Sequence, residues 1–430
     1  MSFWSFLFRD RNHNYYALGL FVSFFLFYLV INSPYILYME QNESELLARS
    51  PFYGVPFTLN LFNFDPSLYY GYDNASIIHP FINFLSGSLS SLSDYLSGNR
   101  FFLVIHSVIN ALSVVLIYYY LRKTDTINII ALLFALFFGM SSYTIYTALI
   151  PDSYIYAQFV ILLSLLYLFY SRKEDRSRIL PTALLAVTNF GITSTNIVPF
   201  FGALFVNMFQ KRKYGFLAKF AWIVVYFLIG VASLTLLQVI IGSSWIHNWL
   251  QSLNNGGFSY TAPFSFSQHW KAIYMLVISP VLTPDITLVS PGIVAFATDL
   301  LQPYPLYVTI IGAALIIMAI LGFIRSIATK EPWVLAPFLL FAFGLHIVTG
   351  YGLATFNNDL YLYAGHYLFV FFLLSARFVT SINHNLTRNL FIGIIAVFIL
   401  ATAANNIVKH GEALEVIQSS YSELKDTTAE

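Results

Sequence analysis

Apolar runs of about twenty residues recur along almost the whole chain, and an α-helix of that length crosses the hydrocarbon of a bilayer. They fall near 15–36, 101–121, 127–147, 153–170, 217–241, 305–324, 333–352, 361–378 and 390–407. The stretch 180–210 holds two shorter runs around Thr193-Ser194-Thr195-Asn196 and reads as a hairpin of two short helices. Of the 430 residues 58% are hydrophobic and 10% charged, where a soluble domain carries about 25% charged residues. The solvent for this much apolar side chain is lipid. The pattern therefore predicts an all-α polytopic membrane protein with about 11 transmembrane segments. The first apolar run is long enough to remain as a helix rather than be cleaved as a leader.

Charge orients this layout. With the N-terminus in the cytoplasm and sides alternating, the inner segments hold 16 of the 21 basic residues: Arg9, Arg11, Arg122, Lys123, Arg172, Lys173, Arg176, Arg178, Lys211, Arg212, Lys213, Lys219, Arg325, Lys330, Arg377 and Arg388. That is the positive-inside bias. Among the acids only Asp10, Asp125, Glu174, Asp175 and Glu331 fall inside, so 15 of the 20 lie outside. The orientation rule does not account for that second asymmetry; function is one explanation, and the acidic tail supplies five of the fifteen.

One transmembrane domain spans 1–408, with an acidic tail from 409 to 430 that reads as a solvated helix or as disordered. Two external loops are long, 37–100 and 242–304, and loops of that length are usually functional or disordered. Both are rich in aromatic and aliphatic residues, which argues for structure. In the second, Trp245 and Trp249 sit four apart on one helical face, the signature of a helix lying in the interface. The formal net charge of +1 gives no reason to expect a nucleic-acid partner, and the absence of cysteine excludes disulfides, thiolate catalysis and Cys metal sites.

The chemistry-bearing residues cluster at the external ends. In the first loop Asp65, Asp73 and His79 fall within fifteen residues, among aromatics. A carboxylate there can act as a general base toward a hydroxyl or hold a divalent cation; Asp65 can equally N-cap a short helix beginning at Pro66. The turn Pro151-Asp152-Ser153-Tyr154 offers Asp152 as a cap for the next helix, or as a second carboxylate facing the same space. Asp359, Tyr363 and His366 are spaced i, i+4, i+7, one face of a helix entering the membrane. The plain alternative is a polar helix end in the headgroup layer, which explains His366, two turns in, less well. His346 is a lone intramembrane histidine, read as a helix–helix hydrogen bonder. External cations before the tail are Arg49, Arg100 and Lys271. Arg100 can meet a lipid phosphate or simply snorkel to the interface.

Taken together, the long first external loop with Asp residues, His79-Pro80-Phe81 before the next helix, Pro151-Asp152-Ser153, Thr195-Asn196 in a hairpin and Asp359-Leu360-Tyr361 through Tyr363 to His366 resemble the GT-C membrane glycosyltransferases, the superfamily of protein mannosyltransferases and aminoarabinose transferases. The resemblance implies a GT-C-like fold and sugar transfer from a polyprenyl-phosphate donor to a glycan, lipid or protein hydroxyl, on the external side of what would be a bacterial plasma membrane. It implies a first-loop carboxylate, Asp65 or Asp73, as the catalytic base. Substrate binding then falls to His79, Arg100, Asp152, Lys271, Asp359, Tyr363 and His366. The adjacent Asp-Glu pair of many members is missing, so the identity of the base and the need for a divalent cation stay open, and the cofactor is unknown. The competing readings are a cell-envelope glycan polymerase or ligase, and a lipid-linked-sugar flippase or transporter. The first usually has a late loop with arginines, whereas Lys271 is the one basic residue in 242–304. The second usually has repeats and mid-bilayer charges.

Overall fold

The structure is a computed structural model that describes residues 1–429 apart from 53, 175–177, 210–214, 255–259, 291–292, 302 and 355–358. Asp175, Arg176, Lys211, Arg212, Lys213, Asn358 and Glu430, which entered the sequence reading, lie outside the described residues.

A short helix α1 (Phe3–Leu7) leads into α2 (Arg11–Gln41). Asp10 caps α2, its Oδ1 accepting the N–H of Asn12 at 3.0 Å and of His13 at 3.2 Å. Then come α3 (Glu43–Arg49), α4 (Ile82–Tyr95) and α5 (Asn99–Lys123). The next run is α6 (Asn128–Gly139), α7 (Ser142–Leu149), α8 (Tyr154–Lys173), α9 (Ile179–Ile192), α10 (Ile197–Met208) and α11 (Gly215–Ile241). The second long loop carries α12 (Trp245–Asn254) and α13 (Phe266–Ile273). It is followed by α14 (Leu306–Arg325), α15 (Lys330–Ala342), α16 (Leu368–Thr380) and the 45-residue α17 (Asn385–Ala429). Among the described residues seven helices are long and apolar enough to cross a membrane: α2, α5, α8, α11, α14, α15 with its continuation to Val348, and α17. The bent pair α6–α7 makes an eighth if taken as one span, and α9, α10 and α16 are shorter apolar helices. The chain is thus a helical integral membrane protein.

Two local expectations need correcting. The run 127–147 is not one straight helix but bends by 52° between α6 and α7. The break survives in an apolar setting because its backbone groups find protein partners. Ser142 and Tyr143 donate their N–H to the carbonyls of Val281 and Pro280 at 3.1 and 2.9 Å, and the Asn406 amide donates to the Met140 carbonyl at 2.6 Å. A Cβ on Gly139 would strike the Phe24 ring, so α2 can lie this close only against glycine. Second, the membrane entry at 361 begins as a 3₁₀ helix, Tyr361–His366, before α16. The two long loops also share a small sheet. Strand β1 (Asn60–Leu61) of the first pairs in parallel with β3 (Ile293–Thr298) of the second, and β3 pairs antiparallel with β2 (Ile286–Ser290), giving the order β1-β3-β2.

The two ends of the bundle differ in charge. At the N-terminal face the Met1 ammonium meets Glu174 at 3.2 Å, and Glu331 bridges Arg172 and Arg377 at 2.6 and 3.7 Å. The loop face holds the small sheet, the 151–153 turn and the first-loop carboxylates. The acidic tail continues α17: Ala413, Ile417 and Tyr421 are buried, and Arg49 of α3 donates to the Leu424 carbonyl at 2.9 Å.

Candidate functional site on the loop face

The first loop is aimed by a turn just after β1. Phe62 and Asn63 both take left-handed backbone conformations, φ 53° and 63°, each costing about 1–3 kcal/mol for a residue other than glycine. Burial of Phe62 offsets that cost: it stacks on Tyr361 at 4.3 Å between ring centroids, and its N–H donates to the Phe296 carbonyl at 2.7 Å. Phe64 packs edge-on against Tyr154 and Tyr361. The chain leaves this turn with Asp65 facing the turn between α7 and α8.

There two carboxylates meet. The Asp65 N–H donates to Asp152 Oδ2 at 3.1 Å, and the Leu68 N–H donates to the Pro151 carbonyl at 3.1 Å, clamping loop to turn. Asp65 does not cap a helix. The 3₁₀ helix Ser67–Asp73 that follows has Pro66 at its cap, and Asp65 Oδ1 instead accepts the Tyr70 hydroxyl at 2.6 Å. Asp152 is buried and takes donors from Ser67, Ser153 and Asp65. Burial, and then the charge of Asp65, push the Asp152 carboxyl up to about 7. Asp65 reaches solvent, yet the packed protein around it raises its pKa as well, against the pull of the Tyr70 hydroxyl. Two coupled acids with unequal environments are the arrangement from which an acid and a base are made.

His79 closes the polar row. Its Nδ1 sits 2.7 Å from the Ile192 carbonyl and 3.2 Å from Ser153 Oγ. A carbonyl accepts only, so Nδ1 carries the proton and Nε2 is left as an acceptor. Desolvation lowers the ring's pKa and favours the neutral form.

Beneath this row is a narrow cavity of about 40 Å³, lined by Tyr154, Thr193, Asn196, His346, Tyr363 and His366 among others. The ring of Tyr154 connects the two levels, 5.8 Å from His79 and 5.3 Å from His366. Thr193 Oγ1, Asn196 Nδ2 and His366 Nδ1 are buried there with no hydrogen-bond partner among the described residues. The lower wall, Pro199, Phe338, Phe341 and Leu345, is apolar and belongs to α10, α15 and the turn beyond it. His346 is not an interhelical bonder: its Nδ1 donates to the Tyr351 carbonyl at 2.9 Å, and its ring lies 4.3 Å from Tyr363.

The remaining sequence candidates are elsewhere. Asp73 ends the 3₁₀ helix and lines an open surface pocket with Ser243, His247 and Asn248. Arg100 is exposed and grips Glu40 through two contacts, 2.7 and 2.5 Å. Lys271 lines a separate pocket with Thr298 and Asp299. Asp359 does not share a helical face with Tyr363 and His366. It lies before the 3₁₀ helix, buried, its two oxygens accepting the N–H of Thr298 at 2.7 Å and of Tyr361 at 3.0 Å. Tyr363 and His366, three apart, do share a face, because 3₁₀ geometry repeats every three residues. Tyr70 and Ser67 were not singled out in the sequence; a hydroxyl five residues from an acid has no recognisable period.

Among the described residues no group of three or more His, Asp and Glu converges as metal ligands. Asp65 and Asp152 offer fewer oxygens than a divalent cation takes, so a cation there would complete its shell with substrate phosphate and water. Comparison with protein-family models and with curated proteins gives no match to this chain.

Proposed function

We propose that the chain is a membrane glycosyltransferase of the GT-C type, moving a sugar from a polyprenyl-phosphate donor to a hydroxyl of a glycan, lipid or protein on the loop face. The observation that carries this reading is the Asp65–Asp152 pair, one carboxylate open to water and the other buried behind it, set above a cavity with three polar atoms unpartnered among the described residues. In this reading the long helices, the bent pair and the three short apolar helices make eleven passes. The basic N-terminal face is then cytoplasmic, and the loop face lies outside a bacterial plasma membrane.

Asp152, buried and pushed up further by the charge of Asp65, keeps the proton of the pair, and Asp65, open to water, serves as the base. Tyr70 occupies Asp65 Oδ1, so Oδ2 takes the proton from the acceptor hydroxyl. The acceptor oxygen bonds to the anomeric carbon from the side opposite the phosphate. The carbon–oxygen bond to phosphate breaks, its electron pair leaving with the polyprenyl phosphate, and Asp65 releases its proton to water. The configuration inverts. Neutral His79 suits a sugar hydroxyl, accepted at Nε2, better than a phosphate. The leaving phosphate belongs at the start of α10, where Thr193 Oγ1 and Asn196 Nδ2 are buried without a partner among the described residues and can donate. The first isoprene units belong against Pro199, Phe338 and Leu345. A space of 40 Å³ holds a water rather than a phosphate, so the ends of α10 and α15 must part for the donor.

The test is incorporation of radiolabelled sugar from a panel of polyprenyl-phosphate sugars into candidate acceptors, in membranes containing the protein. Transfer from one donor, lost in Asp65→Asn, is the expected result. Folded protein that transfers from none of them overturns the reading and favours a lipid-linked-sugar flippase.

A further inference from the structure

The N-terminal face carries a second concave site that glycosyl transfer does not use. It is a pocket of about 640 Å³ between the α1–α2 linker, the C-terminal end of α5 and the C-terminal end of α8. Five cations surround it: Arg9, Arg11, Arg122, Lys123 and Lys173. Its two acids are Asp10, whose carboxylate is engaged by the α2 amides and His13, and Asp125. No ion pair joins any of the five to a carboxylate among the described residues. On the same face Arg172, Arg377 and the Met1 ammonium are all ion-paired.

Part of this cluster has a structural use. Arg122 donates to His13 Nε2 at 3.1 and 3.0 Å and to the Thr126 carbonyl, and Lys123 donates to the Phe6 carbonyl at 2.6 Å. These contacts also place both cations at the negative end of α5. They fix the positions of the charges without neutralising them. Arg11 is steadied by the Tyr15 hydroxyl at 2.9 Å, and Lys173 lies 5.6 Å over the Phe169 ring. Arg9 and Lys173 are exposed and meet no acid among the described residues. Like charges held this close, around an aromatic floor of Phe6 and Phe169, repel one another until an anion enters.

The rim identifies the source of that anion. Trp4 and Phe8 are exposed and stacked at 6.1 Å, and Tyr15, Tyr16 and Leu18 continue the apolar surface along α2. Exposed Trp and Tyr at the end of a spanning helix mark the headgroup level of a bilayer. We infer that this basic pocket binds the phosphate of an anionic phospholipid headgroup in the leaflet at the N-terminal face.

The probes are short-chain phosphatidylglycerol, short-chain phosphatidylcholine and inorganic phosphate, titrated into the purified full chain in neutral detergent while thermal unfolding is followed. Phosphatidylglycerol is expected to raise the Tm saturably and the other two to do so weakly. The double variant Arg9→Ala/Lys173→Ala, with both residues exposed, is expected to lose about tenfold or more in apparent affinity, at about 1 kcal/mol for each charge removed. Arg325→Ala, on the same face outside the pocket, serves as the control and should leave the affinity unchanged. Equal stabilisation by phosphatidylcholine, or an unchanged affinity in the double variant, overturns the inference. Inorganic phosphate binding as tightly as the lipid overturns the lipid assignment and makes the pocket a site for free phosphate. None of these outcomes depends on whether the loop face transfers sugar.

Discussion

Two corners of the loop face are built around carboxylates, and they are built to opposite ends. At Asp359 both oxygens accept backbone N–H groups, one from β3 and one from the following 3₁₀ helix. The group is closed off from water, and it ties the second long loop to the membrane entry of the 361–380 segment. At Asp65 and Asp152 the backbone N–H of one acid donates to the carboxylate of the other, and Asp65 keeps an edge open to solvent. Burial raises the pKa in both corners, so a raised pKa does not separate them. What separates them is what the oxygens have left to do. A carboxylate saturated by backbone is a knot, and a coupled pair with a free edge can move a proton.

The largest expected effect is a crossover. Asp65→Asn should lower transfer by about 10²–10⁴-fold, the usual contribution of a positioned base, with the Tm nearly unchanged because the side chain is exposed. Asp359→Asn should do the reverse. Its amide can accept one of the two backbone N–H groups but not both, and a buried unsatisfied donor costs about 1–3 kcal/mol. Activity per folded molecule should hold. Thermal unfolding and radiolabel transfer on the same two preparations would check this. Loss of activity in Asp359→Asn without loss of stability would erase the distinction.

A smaller effect should appear in pH dependence. Asp152 is held at about 7 in the folded protein, against about 3.9 in an unfolded chain. Between those values the folded state holds the extra proton, so this group's stabilising contribution is complete below pH 4 and is lost as the pH rises through 7. In Asp152→Asn the fall in Tm between pH 4 and 7 should be shallower than in the wild type. Asp359 contributes in the same sense to both proteins, so the difference between the two curves reports Asp152 together with its coupling to Asp65. Parallel curves would mean that Asp152 is already ionised at low pH and cannot hold the proton of the pair.

The apolar runs were legible because a spanning helix writes its length directly into the sequence, and the hairpin at Thr193-Ser194-Thr195-Asn196 is found as α9 and α10. The bend at Met140-Ser141 was not legible. The partners that stabilise it, the carbonyls of 280 and 281 and the amide of Asn406, are remote in sequence. The same holds for the sheet, since β1 has two residues and is defined only by β3. In the candidate site, Asp65, Asp152 and His79 were each visible as polar residues at external ends. Asp152 was also legible as a second carboxylate facing the first loop, but the contacts that join it to Asp65 were not, because they depend on the left-handed turn at Phe62-Asn63, where neither residue is glycine. The period also misled at Asp359: an i, i+4, i+7 pattern presumes an α-helix, and the segment is 3₁₀ with Asp359 outside it.

The smallest effect expected is at Arg100. By position it precedes a spanning helix at the level where a lipid phosphate would lie. In the fold its guanidinium takes Glu40 through two contacts, with the arginine side chain 59% and the glutamate 35% exposed. An exposed pair of this kind contributes little to stability, and a cation already matched to a carboxylate has less to offer a donor phosphate. Arg100→Ala should therefore leave the apparent donor affinity within about fivefold and the Tm nearly unchanged. The variant sharpens the contrast between the loop-face corners, because it asks whether charge at this face works through exposed cations at all. If donor affinity falls by more than tenfold, Arg100 must release Glu40 when substrate arrives. The phosphate would then sit at the rim, above the carboxylate pair, and Thr193 and Asn196 would be left to a buried water.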